Sequence, residues 1–483
     1  MAKMEFDLLV TGGTVVTADA TFAADIAVRD GKIAAVLPQS KIQNPKSKIV
    51  IDASGCYVLP GAIDAHVHLQ MPTGVGYTAD DWAAGTRAAA MGGTTCVIDF
   101  VETEPGERLT DALGKRLDEA REAVIDFGLH MTIQPDEHPI AGIPRRVSAR
   151  RLAEMREAYE AGCASFKLYM AYPGFQVSDG DLLRALRAVA ELNALACIHA
   201  ENGDVIEVLR EAVVDHPERA IHHARTRPPA NEHEAVTRAV LCAELSGARV
   251  MIFHIGCEAA ARVVADAKLR GNDRVFGETC PHYLTLTEDA LAREDGRLWV
   301  CAPPLRPQAD QDAMWRMLAS CALDVVGTDH CPFTRAQKDA GALDFRRAPG
   351  GIPGIETRLG LLHEFGVRRG RITLNDWVRV CCARPAELYG LADKGRIAVG
   401  YDADLVVFDP TLHKTLAAGE LNSAIDWSAY EGVTCAGWAR DVIARGDVVV
   451  RDQQWVGRAG RGQFARRDFA GVTRAVAPAT RFR

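Results

Sequence analysis

Long apolar runs are missing from this chain: no stretch reaches the roughly twenty apolar residues that a membrane-spanning helix needs. Met1 to Val10 carries Glu5 and Asp7 and lacks the basic-then-apolar pattern of a secretion signal, so a cytoplasmic protein is expected. A strong charge of either sign is also absent. The formal net charge is −8 over 483 residues, too small to point to nucleic acid or an acidic membrane as a partner. Aromatics make up only 6%. Cysteine pairs at metal-knuckle spacing are missing as well. The cysteines number thirteen, lie mostly inside apolar runs such as TTCVID and LACIHA, and include one adjacent pair, Cys381 and Cys382. They read as buried small hydrophobes in a reducing compartment. What remains, 48% hydrophobic and 25% charged, is the composition of a globular protein long enough to bury a large core.

Two textures divide the chain. The first sixty residues read as short strands punctuated by Gly12-Gly13 and Asp30-Gly31, and a similar texture returns in GRIAVGYDADLVVFDP and around Arg445-Gly446-Asp447. Residues 1–58 and 388–460 are therefore expected to form one β-sandwich domain completed from both ends. Between them, over 59–387, apolar β-type runs alternate with helical stretches. The predicted strands are 61–69, 94–100, 127–133, 164–170, 195–200, 249–255, 274–279 and 323–329, each followed by room for a helix. Eight such units are the count of a (β/α)8 TIM barrel, an α/β fold. Residues 461–483 are Arg-rich and unpatterned, and are expected to be a solvated arm that packs on a neighbouring subunit or stays disordered.

Barrel enzymes carry their chemistry at the C-terminal ends of the strands. Here strand one ends in His66-Val67-His68, whose alternation sends both imidazoles to one side. Strand four holds Lys167, strand five ends at His199, strand six at His254 and strand eight at Asp329. One such histidine alone would most often be structural; a set at matching strand ends points to a metal centre. Lys167 interrupts an apolar strand, where an unpaired ammonium is costly. It could snorkel or pair with an acid. Carbamylated by CO2, it would instead become an anion able to bridge two metals, which four imidazoles and one carboxylate would otherwise leave under-neutralised. His330 alternates away from Asp329 and reads as structural, His282 as a loop residue behind the ligands, and the His222-His223 pair as surface.

With HVH on strand one, the mid-chain lysine, two single histidines and a late Asp, the chain resembles the amidohydrolase superfamily. SFKLYMAY, IHAENGD, GETCPHYL, APPLRP, GTDHCPF, DFRRAPGGIPGIETR and WSAYEGVTCAGW narrow the resemblance to the hydantoinase/dihydropyrimidinase branch. That resemblance implies two divalent metals about 3.5–4 Å apart. One would be held by His66, His68, Lys167 and Asp329, the other by Lys167, His199 and His254. Zinc suits these ligands, with manganese or cobalt able to substitute. Asp329 would shuttle a proton to the leaving ring nitrogen, and Tyr172 would stabilise the oxyanion. Backbone groups at Ala302 and Gly350, where relatives often carry Ser and Asn, would read the ring amide. Met71, Thr73, Tyr169 and Phe175 would surround the ring substituent, an apolar lining suited to alkyl or aryl groups.

The implied reaction opens hydantoins, dihydropyrimidines or both to N-carbamoyl amino acids. Gln70 stands where dihydroorotases usually carry arginine, which counts against them, while the CAPP string at 301–304 keeps allantoinase open. A non-catalytic assembly relative would have lost ligands, and every position is filled here. The resemblance also implies a homo-oligomer, a tetramer or dimer.

Overall fold

The computed structural model describes residues 5–38, 46–104, 106–137 and 146–469. All eight expected barrel strands form: β1 (Ala62–Asp64), β2 (Thr94–Val101), β3 (Asp126–Thr132), β4 (Ser165–Tyr169), β5 (Leu195–His199), β6 (Arg249–Ile252), β7 (Val275–Thr279) and β8 (Val325–Val326). Each is parallel to the next. Their interior is filled by Ile63, Ile98, Phe100, Cys197, Met251 and Phe253, as the near-continuous apolar runs require of strands covered on both faces.

β1, β6 and β8 end earlier than the apolar pattern suggests. Beyond them the backbone leaves the ladder, with His254 and Asp329 at φ of 40° and 49°, a left-handed conformation uncommon for side-chain-bearing residues. Side chains close the barrel between β1 and β8. Asp64 accepts from the Thr328 backbone N–H at 3.0 Å and its hydroxyl at 2.6 Å. The buried Arg358 guanidinium donates to the carbonyls of Ile63 and Val326, both at 2.8 Å.

The two chain ends interleave. Strand 57–60 lies antiparallel to 405–415 and parallel to 14–16 within one sheet. A second sheet holds 5–11, 25–29, 32–37 and 46–52. Leu8, Ile26 and Val28 of the latter share a core with Val58, Leu405 and Ile443 of the former. The expected turns appear: Asp30 and Gly31, like Arg445 and Gly446, have positive φ, the signature of two-residue hairpin loops. A Cβ on Gly446 would sit 2.9 Å from the Gly31 Cα, so the two hairpin tips touch only because both are glycine.

The expected solvated arm is corrected over 461–469. Phe127 and Ala465 exchange backbone hydrogen bonds with the tail and β3 through Phe127 N–H to Gln463 at 3.0 Å and Ala465 N–H to Phe127 at 2.7 Å. Arg467 and Phe469 are buried, and Arg467 donates to the Ser165 hydroxyl at 2.7 Å. This segment caps the N-terminal end of the barrel, because arginine stems and two phenylalanines cover apolar surface that water would otherwise meet. Residues 470–483 lie outside the described residues. Among the described residues, no helix is long and apolar enough to cross a membrane.

Candidate metal centre

At the C-terminal mouth of the barrel the strand ends surround a cavity of about 450 Å3. His66, His68, Lys167, His199, His254 and Asp329 all line it. Donor atoms of His66, His68 and Asp329 lie within 4.8 Å of one another. The Asp329 carboxylate stands 3.1 Å from His66 Nε2 and 3.2 Å from His68 Nε2. On the other side, His199 Nδ1 faces His254 Nε2 at 2.9 Å.

Buried partners fix which ring nitrogen is free. Glu278, at the end of β7, takes the His66 Nδ1–H at 2.7 Å and so turns Nε2 toward Asp329. Glu201 takes His199 Nε2–H at 2.9 Å, leaving Nδ1 as the free lone pair, and is itself held by Arg227 at 2.7 Å. Such carboxylate–imidazole pairs orient metal ligands and raise their basicity. Gly327 makes room for the first pair: a Cβ there would lie 2.6 Å from Glu278 Oε2.

Charge at the site follows from burial and neighbours. Burial pushes the His199, His254 and His68 imidazoles down, which keeps their lone pairs available. Burial alone would also lower His66, but Asp329 and Glu278 more than reverse it and push it up to about 9. Against burial, the same His66 holds the Asp329 carboxyl well below the ordinary range. This face therefore attracts positive charge, whether proton or metal. Lys167 is 1% exposed and has no ion-pair partner among the described residues; its Nζ lies 4.3 Å from the Phe253 ring centre. Burial pushes it down to about 8. Three imidazole-bearing strand ends, an ionised carboxylate and a buried lysine with a weakened hold on its proton are a donor set that fits divalent cations.

Other expected residues fall as follows. Tyr172 lines the cavity at φ 75°, its ring 4.8 Å from that of His199, and burial raises its phenol, which therefore stays protonated as a donor. Met71, Tyr169, Phe175, Ala302 and Gly350 line the cavity. Thr73 does not: it sits in the 72–77 hairpin with its hydroxyl turned back to the Gly76 carbonyl. His330 is fully buried between Asp80 at 2.8 Å and the Gly354 N–H at 3.0 Å, in keeping with a structural role. His282 opens a short helix, 281–285, rather than a loop, and its Nε2 finds no partner among the described residues. The surface expectation for His223 is corrected. It is buried in the cavity wall, where Nε2 donates to the Cys301 carbonyl at 2.8 Å and fixes the segment carrying Ala302. His222 is only half-buried.

Lys338 and Glu102 were not anticipated either. The buried Lys338 ammonium donates to the carbonyls of Val300, Pro349 and Gly351 at 2.9, 2.8 and 2.7 Å, tying together the two segments that carry Ala302 and Gly350. Glu102, just past β2, also lines the cavity, as do Arg210, Arg227 and Arg346.

The model of the amidohydrolase family matches residues 57–449, the barrel together with the strands that frame it. The chain belongs to the amidohydrolase family. Family membership implies divalent metal use, which the His66–His68–Asp329 cluster accommodates. Among curated amidohydrolases, a D-hydantoinase of Geobacillus stearothermophilus is 42% identical over 467 residues, covering 95% of this chain and 96% of its own. A crystal structure of a D-hydantoinase superposes with a TM-score of 0.90 at 41% identity, covering 96% of this chain and 99% of the other. The dihydropyrimidinase of Brevibacillus agri gives a TM-score of 0.90 at 39% identity, covering 95% and 98%.

Proposed function

We propose that this chain hydrolyses the ring amide of hydantoins and dihydropyrimidines, releasing N-carbamoyl amino acids. The observation that carries the reading is the convergence of His66, His68, Lys167, His199, His254 and Asp329 on one cavity in a fold shared along its whole length with hydantoinases. His66, His68 and Asp329 would hold one divalent metal and His199 with His254 a second, with Lys167, as its CO2 adduct, donating to both. Zinc suits this set, and manganese or cobalt could replace it. A metal pair there supplies Lewis acidity and an acidified water.

The chain's own groups do the rest. Asp329, ionised at the cavity floor, accepts the proton of the attacking water and returns it to the ring nitrogen, a poor leaving group that departs only when protonated. Tyr172 donates its phenolic hydrogen to the developing oxyanion. The backbone at Ala302 and Gly350, held in place by His223 and Lys338, meets the ring amide. Thirteen free cysteines suit a cytoplasmic protein. Exposed Val205, Val208, Leu241 and Leu245 on helices 203–211 and 229–246 suit a homo-oligomer.

The test is ring opening of hydantoin, dihydrouracil and allantoin in parallel, with zinc or manganese and bicarbonate supplied. Turnover of the first two, with N-carbamoyl products, is expected. Turnover of allantoin alone would overturn the substrate assignment and leave the residue roles standing.

A further inference from the structure

The charges in the cavity wall are paired, with one exception beyond Lys167. Arg210 pairs with Glu207 at 2.9 Å, Arg346 with Asp344 at 2.8 Å and Arg227 with Glu201 at 2.7 Å. Asp329 is taken by His66 and His68. Glu102 lines the same cavity and has neither a hydrogen bond nor an ion pair among the described residues. The guanidinium whose charge acts on it, Arg116, is already committed to Asp99 at 2.7 Å, to Glu119 and to the Phe100 carbonyl at 3.1 Å. Glu102 lines the cavity together with Met71, Tyr169 and Cys331. Its carboxyl is pushed up to about 7 by burial, which the charge of Arg116 offsets only in part.

An apolar substituent packed against this wall would desolvate the carboxylate further and give nothing back. A cation on the substituent would supply the missing partner. The expectation of an alkyl or aryl pocket is thereby modified for this chain. We propose that Glu102 selects hydantoin or dihydropyrimidine rings whose substituent carries a cation, an ammonium or guanidinium on an alkyl arm. This inference rests on the ring-opening reading above and names its substrate class.

The experiment compares kcat/KM for 5-(4-aminobutyl)hydantoin and 5-pentylhydantoin, which differ in little but the terminal charge, in wild type, Glu102→Gln and Glu102→Leu. Unsubstituted hydantoin is run alongside. Wild type should favour the amino substrate about tenfold or more, the size of a hydrogen bond to a charged group. The preference should reside in KM, shrink in Glu102→Gln, which keeps the shape, and reverse in Glu102→Leu. A wild type that opens all three rings but favours the pentyl compound, or keeps the same ratio in both variants, overturns the inference alone. A wild type that opens none of them overturns the ring-opening reading and this inference with it.

Discussion

Two buried lysines mark the two ends of the barrel, and their surroundings are opposite. At the N-terminal end, Lys394 sits among Asp126, Asp402 and Asp404 at 2.8, 2.9 and 2.8 Å, and against burial these carboxylates raise it well above the ordinary lysine value. Arg445 adds a second cation to Asp126 at 2.9 Å. At the C-terminal end, Lys167 is as deeply buried, faces aromatic rings, and burial pushes it down to about 8. One ammonium is saturated with acceptors and fastens β3 to the strands of the terminal sheets. The other has no such acceptors and a weakened hold on its proton, which suits the CO2 adduct proposed for it. Buried charge thus serves stability where its partners are complete and reactivity where they are not.

The contrast between the two lysines is greatest on substitution of Lys167. Lys167→Ala should lower kcat for ring opening by about 10³-fold or more if, as proposed, it removes a group that holds both metals. Compared without added metal, its thermal unfolding by circular dichroism should shift less from wild type than that of Lys394→Met. Lys394→Met should do the reverse. Three carboxylates would lose their shared cation, costing about 3–5 kcal/mol in urea unfolding, while the folded fraction keeps its kcat.

Lys338 tests a middle case, a cation saturated by carbonyls beside the cavity. Lys338→Met should cost about 1–3 kcal/mol through unsatisfied carbonyls and raise KM more than it lowers kcat, because Ala302 and Gly350 lose their common anchor. Glu356 gives the smallest effect. Buried and bonded only to Asn422, its carboxyl is pushed up to about 7. The folded state then binds a proton that the unfolded state releases above about pH 4.5, so this residue lowers stability as pH rises toward 7 and no further beyond. Glu356→Gln should remove that part of the slope, giving about 1–2 kcal/mol more advantage over wild type near pH 8 than near pH 5 in urea titrations.

The legibility of the two ends in the sequence differs for the same reason. Apolar runs with helices between them gave the barrel, and a ligand-type residue at the end of each of five runs showed where the mouth lay, since both signals are local and periodic. The groups that orient those ligands were not readable. Glu278 stands at the end of β7 just as the ligands do, a signal that could have been used. Glu201 with Arg227, and His223 with Cys301, meet only after the chain has closed on itself. Strand ends were overestimated at β6 and β8 because His254 and Asp329 adopt positive φ, which hydrophobic pattern does not encode. The segment 461–469 misled because arginines that look solvated in a list of residues bury their stems and find carbonyls and hydroxyls in the fold.

On the proposed reading, Lys167 completes a two-metal centre rather than merely filling the barrel. Metal content per chain, measured by plasma mass spectrometry on wild type and Lys167→Ala after equal exposure to zinc and bicarbonate, tests it directly. Two metals are expected in wild type and one or none in the folded variant. Two metals in both proteins would contradict it.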